Sequence, residues 1–174
     1  MLHRKLGKLT HLVVAAAVGL PGIASAQTFI ARLNGGEEVP AVSTTAAGQF
    51  VMNFFPASQM ANYSLNYANL QGTVTQAHIH IGQPGVTGGI SIWLCGTPAL
   101  PGPAGTPTCT GTTTGVVKGS ITSASVIGPP AQLITAGQLN EAIRMIRLGL
   151  AYVNVHTDAA AGGVGSGEIR GVIR

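Results

Sequence analysis

The chain has 174 residues, of which 8% are charged and 45% hydrophobic, with 25 glycines and a formal net charge of +4. An average soluble domain carries about 25% charged residues and ~7% glycine, so the composition excludes a charge-rich disordered chain. It points instead to one turn-rich β domain, since two would be cramped in this length.

Residues 1–26 read as a secretory signal peptide. Arg4, Lys5 and Lys8 give a basic start, and Leu12 to Leu20 an apolar run of nine residues. Pro21 and Gly22 break the run, and Ala24-Ser25-Ala26 supplies a small-x-small cleavage pattern. The run is too short to span a bilayer. Cleavage leaves residues 27–174, with six basic residues (Arg32, Lys118, Arg144, Arg147, Arg170, Arg174) against five acidic ones (Glu37, Glu38, Glu141, Asp158, Glu168). The net charge then falls to about +1, which removes the case for a basic nucleic-acid-binding face. The expectation is an exported protein, periplasmic or extracellular, with no transmembrane anchor after cleavage. No protein partner is indicated.

Apolar and polar residues alternate over Phe29–Leu33, Phe50–Phe54, Tyr63–Tyr67 and Ala77–Ile81, then over Ile90–Leu94, Val116–Ile121, Ala151–His156 and Glu168–Ile173. Period-two alternation between turn residues predicts strands with one buried face. About eight strands make an all-β sandwich or barrel. Glu37-Glu38-Val39-Pro40 follows Gly35-Gly36 and reads as a turn in which Pro40 ends strand pairing. Ligand contact by Glu38 is the alternative role there.

Cys95 and Cys109 flank a Pro/Gly-rich loop. In an oxidising compartment a Cys95–Cys109 disulfide is the default reading, and a metal-binding or reactive thiol pair the rival one. Further on, Thr135 to Gln138 resembles a capping box. Leu139, Ala142, Ile143 and Ile146 form an apolar helical stripe, Arg144 and Arg147 suit the negative end of a helix dipole, and Gly149 is a stop. This predicts one short crossover helix over 136–148 that plugs an end of the fold.

Three histidines remain beyond the signal peptide: His78, His80 and His156. His78 and His80 share a strand face opposite Ile79 and Ile81. Val153 and Val155 read as core, which leaves Tyr152, Asn154 and His156 on an outward face. Two imidazoles at i and i+2 with a third from a neighbouring strand make a three-nitrogen set. Imidazole-only sites suit copper, then zinc or nickel, and three protein ligands leave a position open. Arg170, Glu168 and Asn154 are the candidates for supporting these ligands or binding an anion. For Glu168 and Arg170 the simpler reading is a cross-strand ion pair or an edge charge. No nucleotide-binding loop, nucleophile elbow or triad spacing occurs, so no catalytic residue is assigned.

Several segments together resemble the CHRD (chordin-type) domain. They are Phe29-x-Ala31-x-Leu33-Asn-Gly-x-Glu37-Glu38-Val39-Pro40-Ala-Val42, Tyr63-x-Leu65 with Asn69-Leu70-x-Gly72, Val74-Thr-x-Ala77-His78-Ile79-His80-x-Gly82, Tyr152 to Thr157, and Gly167-Glu168-Ile169-Arg170-Gly171. The family occurs in bacterial exported proteins and, as repeats, in an animal extracellular growth-factor antagonist. The resemblance implies an immunoglobulin-like barrel or sandwich. A second, partial resemblance is to copper–zinc superoxide dismutases. His78-Ile-His80, Val153-Asn-Val155-His156 and Arg170-Gly-Val-Ile173 follow the order of that family's copper-site strands. It implies a superoxide-dismutase-like Greek-key topology, His78, His80 and His156 as copper ligands, and Arg170 as an anion guide. No histidine remains for the metal-bridging role and there is no zinc-ligand set, so only a mononuclear site carries over. Three readings follow: a binding module with a three-histidine copper or zinc site, a dismutase-like copper redox enzyme, and a structural or adhesive envelope protein without metal.

Overall fold

The alternating runs become strands because each has one face that must leave water. In the computed structural model, which describes residues 25–174, β1 spans Gln27–Asn34, β2 Ala47–Phe55, β3 Met60–Ala68 and β4 Val74–Ile81. β5 spans Gly89–Cys95, β6 Gly115–Ile121, β7 Ala151–Thr157 and β8 Ile169–Val172. The signal peptide expected over 1–26 lies, apart from Ser25 and Ala26, outside the described residues. β1 shows the logic plainly: Phe29, Ala31 and Leu33 are buried, while Thr28, Ile30 and Arg32 are exposed.

The ladder order is β5-β4-β7-β8-β1-β2-β3-β6, antiparallel throughout. The sheet curls into a nearly closed barrel, so the all-β expectation with about eight strands holds. The β3–β6 and β4–β7 pairings join strands distant in sequence, as Greek-key connections do. β5 and β6, the two ladder ends, meet at a seam. Three links secure the β5 side of it. Cys95 is disulfide-bonded to Cys109, Ile92 bridges to Val126, and the Tyr63 hydroxyl donates to the Leu94 carbonyl across the interior. The core holds Phe50, Met52, Phe54, Leu65, Ile79, Ile92 and Leu94, each at most 1% exposed.

The helix α1 spans Leu139–Arg147, shorter than the predicted 136–148. Gly137 adopts φ 87°, which postpones helical geometry to Leu139. Only half of the capping box forms, with the Thr135 amide donating to Gln138 Oε1. Gly149, at φ 69°, ends the helix. Its amide bonds the Ile146 carbonyl and that of Leu150 bonds Met145, a Schellman closure. Leu139, Ala142, Ile143 and Ile146 enter the core. The Arg147 guanidinium covers the Phe54 ring and bonds Gln27, so α1 closes the barrel end where β1 begins and β2 ends.

Candidate metal centre

The strand register sets the site. His78 on β4 lies opposite Trp93 on β5 and Asn154 on β7. Asn154 in turn lies opposite Arg170 on β8. His80 pairs with Tyr152, and His156 with Gln76. All these side chains stand on the face turned away from the core, with Ile79, Val153 and Val155 on the other. Register shifts in the β4–β5 ladder at Ala77/His78 and Ile79/His80 bracket the two histidines. Such irregularities re-aim side chains at functional positions.

The expectation of an outward face needs a correction. His78 is 0% exposed, and His80 and His156 are each 8% exposed. Asn154, Tyr152 and Arg170 are buried too. The face points away from the core but not into water, because loops roof it. The β4–β5 loop contributes the carbonyls of Gln83, Val86 and Gly88, and the segment before β8 contributes that of Gly165. The turn after β1 brings in Glu38.

The three histidines each place a ring nitrogen within 4.8 Å of the others. His80 Nδ1 lies 3.0 Å from the Gly88 carbonyl and His156 Nδ1 3.0 Å from the Gly165 carbonyl. A carbonyl oxygen only accepts, so both Nδ1 atoms carry hydrogen and both Nε2 atoms are lone pairs. His78 Nδ1 stands 3.1 Å from His156 Nε2. That contact requires His78 Nδ1–H to donate, or an ion to accept both lone pairs. Two nitrogens ~2.0 Å from one ion stand about 3 Å apart, so the spacing fits. His78 Nε2 and His80 Nε2 have no hydrogen-bond partner, and nor does Asn154 Oδ1 beside them. A buried polar group left unpaired costs ~1–3 kcal/mol. The spacing of His78 Nδ1 and His156 Nε2 and the orphan lone pair of His80 Nε2 therefore fit a borderline metal ion, His78 then carrying its hydrogen on Nε2, with the two carbonyls orienting the other rings as outer-shell partners do.

Electrostatics agree with neutral imidazoles. Burial pushes the His78 pKa down to about 2, helped by the neighbouring His156 and His80. Burial lowers His80 to about 4 against the pull of the Gly88 carbonyl, with His156 and Arg170 adding to the depression. Burial also lowers His156, opposed by the Gly165 carbonyl. A neutral imidazole is the form that binds metal.

A stacked column supports His80. Tyr152 lies parallel to its ring at 4.9 Å, and the Arg170 guanidinium sits 3.4 Å from the Tyr152 ring centroid. Gly88 clamps two members, since its carbonyl meets His80 Nδ1 and its amide donates to the Tyr152 hydroxyl. Arg170 Nη2 donates to the Val86 and Gln83 carbonyls at 2.8 and 3.2 Å. His78 packs edge-on against Trp93 at 4.3 Å.

The cross-strand ion pair expected for Glu168 and Arg170 does not form, and neither is an edge charge. Glu168 is 0% exposed. It accepts from the Thr44 and Thr157 hydroxyls and the Gln71 and Gly72 amides, tying two loops to the end of β7. Arg170 instead joins the histidine face. Asn154 joins it too, donating from Nδ2 to both Glu38 oxygens at 2.9 Å. Burial raises the Glu38 pKa to about 7, opposed by Asn154, Arg170 and the Val39 amide. Gly167, at φ 130°, leaves the space that Asn154 fills. The roles of Gly88, Gly165 and Trp93 carry no sequence signature, because two act through backbone carbonyls and one through its ring.

Fold and site together define an all-β barrel module with a buried three-histidine group that can hold a metal ion. The chain belongs to the CHRD domain family, which matches residues 29–173. No curated protein and no solved structure matches the chain.

Proposed function

We propose that this protein is an exported CHRD module that binds a single copper ion through His78, His80 and His156. The observation that carries the reading is the pair of carbonyl-locked imidazoles, His80 and His156, whose Nε2 lone pairs converge with His78 in a buried group. The His80 Nε2 lone pair has no partner, and that of His156 meets only His78 Nδ1. Copper is preferred to zinc because imidazole suits copper, which stands above zinc among divalent ions and, unlike zinc, also has a stable monovalent state. Arg170 and Asn154 act as positioning residues, through Tyr152 and Glu38 respectively.

Export is supported by the leader-like residues 1–26 and by the Cys95–Cys109 disulfide, a bond of oxidising compartments. Among the described residues no helix is long and apolar enough to cross a membrane. N-terminal sequencing of the protein recovered outside the cytoplasm tests cleavage after Ala26.

The decisive experiment loads the exported protein with copper at neutral pH and measures bound metal by elemental analysis. One copper per chain, lost in His80→Ala and in His156→Ala, is the expected result. A chain that retains none refutes the reading. A superoxide assay on the loaded protein then separates a binder from a redox enzyme.

A further inference from the structure

We infer that the histidine face selects for charge as well as for ligand type, and holds copper in the cuprous, monovalent state in preference to the cupric. This rests on the copper reading above and specifies which form of the ion the site takes.

Every donor in the group is a neutral nitrogen, and no carboxylate belongs to it. All three rings are buried. Removing an ion from water costs in proportion to the square of its charge, so a divalent ion in such surroundings needs compensating negative charge. The face supplies little. Glu38 is the carboxylate on it, and Arg170 and the two hydrogen bonds from Asn154 already engage its charge. Glu168 is committed to Thr44, Thr157 and the Gln71 and Gly72 amides.

Positive charge, in contrast, is built in. Arg170 lies on Tyr152, and Tyr152 on His80. Those two spacings put the guanidinium at most about 8 Å from the centre of the His80 ring, and at that distance and an effective dielectric of ~20 it disfavours a divalent ion relative to a monovalent one by about 30-fold. Arg170 is 2% exposed and anchored to the Val86 and Gln83 carbonyls, so solvent screens it poorly and it does not swing away. Three imidazoles with no anionic ligand, buried beside a fixed cation, therefore favour the lower charge.

The test is a pair of competition titrations on the exported protein at pH 8. Bicinchoninate competes for Cu(I) under anaerobic reduction, and nitrilotriacetate competes for Cu(II). The readout is the ratio of the two affinities, cross-checked by redox titration of the loaded protein. The wild-type chain should bind Cu(I) the more tightly. Arg170→Gln should lower the Cu(I):Cu(II) ratio by about 30-fold, while Arg170→Lys keeps it near the wild-type value. Glu38→Gln, which removes negative charge, should raise the ratio, and gives an independent reading where Arg170→Gln does not fold. Tighter binding of Cu(II) than Cu(I) by the wild type overturns the inference and leaves the copper site standing. So does a ratio that both Arg170→Gln and Glu38→Gln leave unchanged or move in the same direction. A wild-type chain that binds neither ion overturns the copper site and the inference together.

Discussion

The buried histidines make the metal-free fold acid-sensitive, and Glu38 opposes that sensitivity. His78 and His80 titrate at 6.5 in the unfolded chain but near 2 and 4 in the fold. A depressed pKa means the unfolded state takes up protons first. Their contribution is complete above pH 6.5 and is lost as pH falls toward the folded values. At pH 5 each has lost ~2 kcal/mol by proton linkage, about 4 together, and His156 adds in the same direction. Glu38 runs the other way, with a folded value of about 7 against an ordinary 4.5. Its contribution is complete below pH 4.5 and disappears as pH rises through 7. Between pH 8 and pH 5 it returns about 2–3 kcal/mol. The wild-type chain, kept metal-free with a chelator, should therefore lose only part of that, about 1–2 kcal/mol plus the His156 share. Glu38→Gln should lose ~4 kcal/mol or more. Urea unfolding followed by circular dichroism at pH 8, 7, 6 and 5 measures both. The reasoning fails if Glu38→Gln is no more acid-sensitive than wild type, or if the wild type gains stability on acidification.

Other perturbations separate the fold from the site. Replacing both cysteines, Cys95→Ala with Cys109→Ala, frees a loop of about 15 residues and should cost ~3 kcal/mol in urea unfolding, with copper stoichiometry unchanged because neither sulfur is a ligand. Glu168→Gln should cost ~2–4 kcal/mol, since the buried carboxylate accepts from two hydroxyls and two amides and hydrogen bonds to charged groups are the stronger class; hydrogen exchange should quicken at Gln71 and Gly72. Ile143→Ala, in the buried stripe of α1, should cost ~2–5 kcal/mol by leaving a cavity, again with copper stoichiometry intact.

Most of the barrel was legible because alternation is a direct record of burial. β1, β2 and β3 obey it residue by residue. β7 does not, since all seven of its residues are buried. One face meets the core and the other meets loops, and alternation cannot reveal a roof built from distant loops. That is why His78, His80 and His156 were placed on the right face but in the wrong medium. The cross-strand ion pair or edge charge expected for Glu168 and Arg170 fails for a related reason. Sequence shows two opposite charges on one strand, yet Glu168 is held by loop amides and hydroxyls and Arg170 by carbonyls and a ring. The sequence marks Glu38 mainly as part of a turn, and only the β8–β7 register, which puts Arg170 beside Asn154, shows why a carboxylate is wanted there.

The carbonyl contacts of His80 and His156 have a calorimetric consequence. Gly88 and Gly165 settle which nitrogen of each ring carries hydrogen before any ion arrives. At pH 8 and above, where Glu38 is ionised as well, neither ring has a proton to surrender on binding. The heat of ion uptake, corrected for the ion's own exchange with buffer, should then be the same in buffers of high and low ionisation enthalpy. Most histidine sites shed protons as they fill; this one has been emptied of them by the fold.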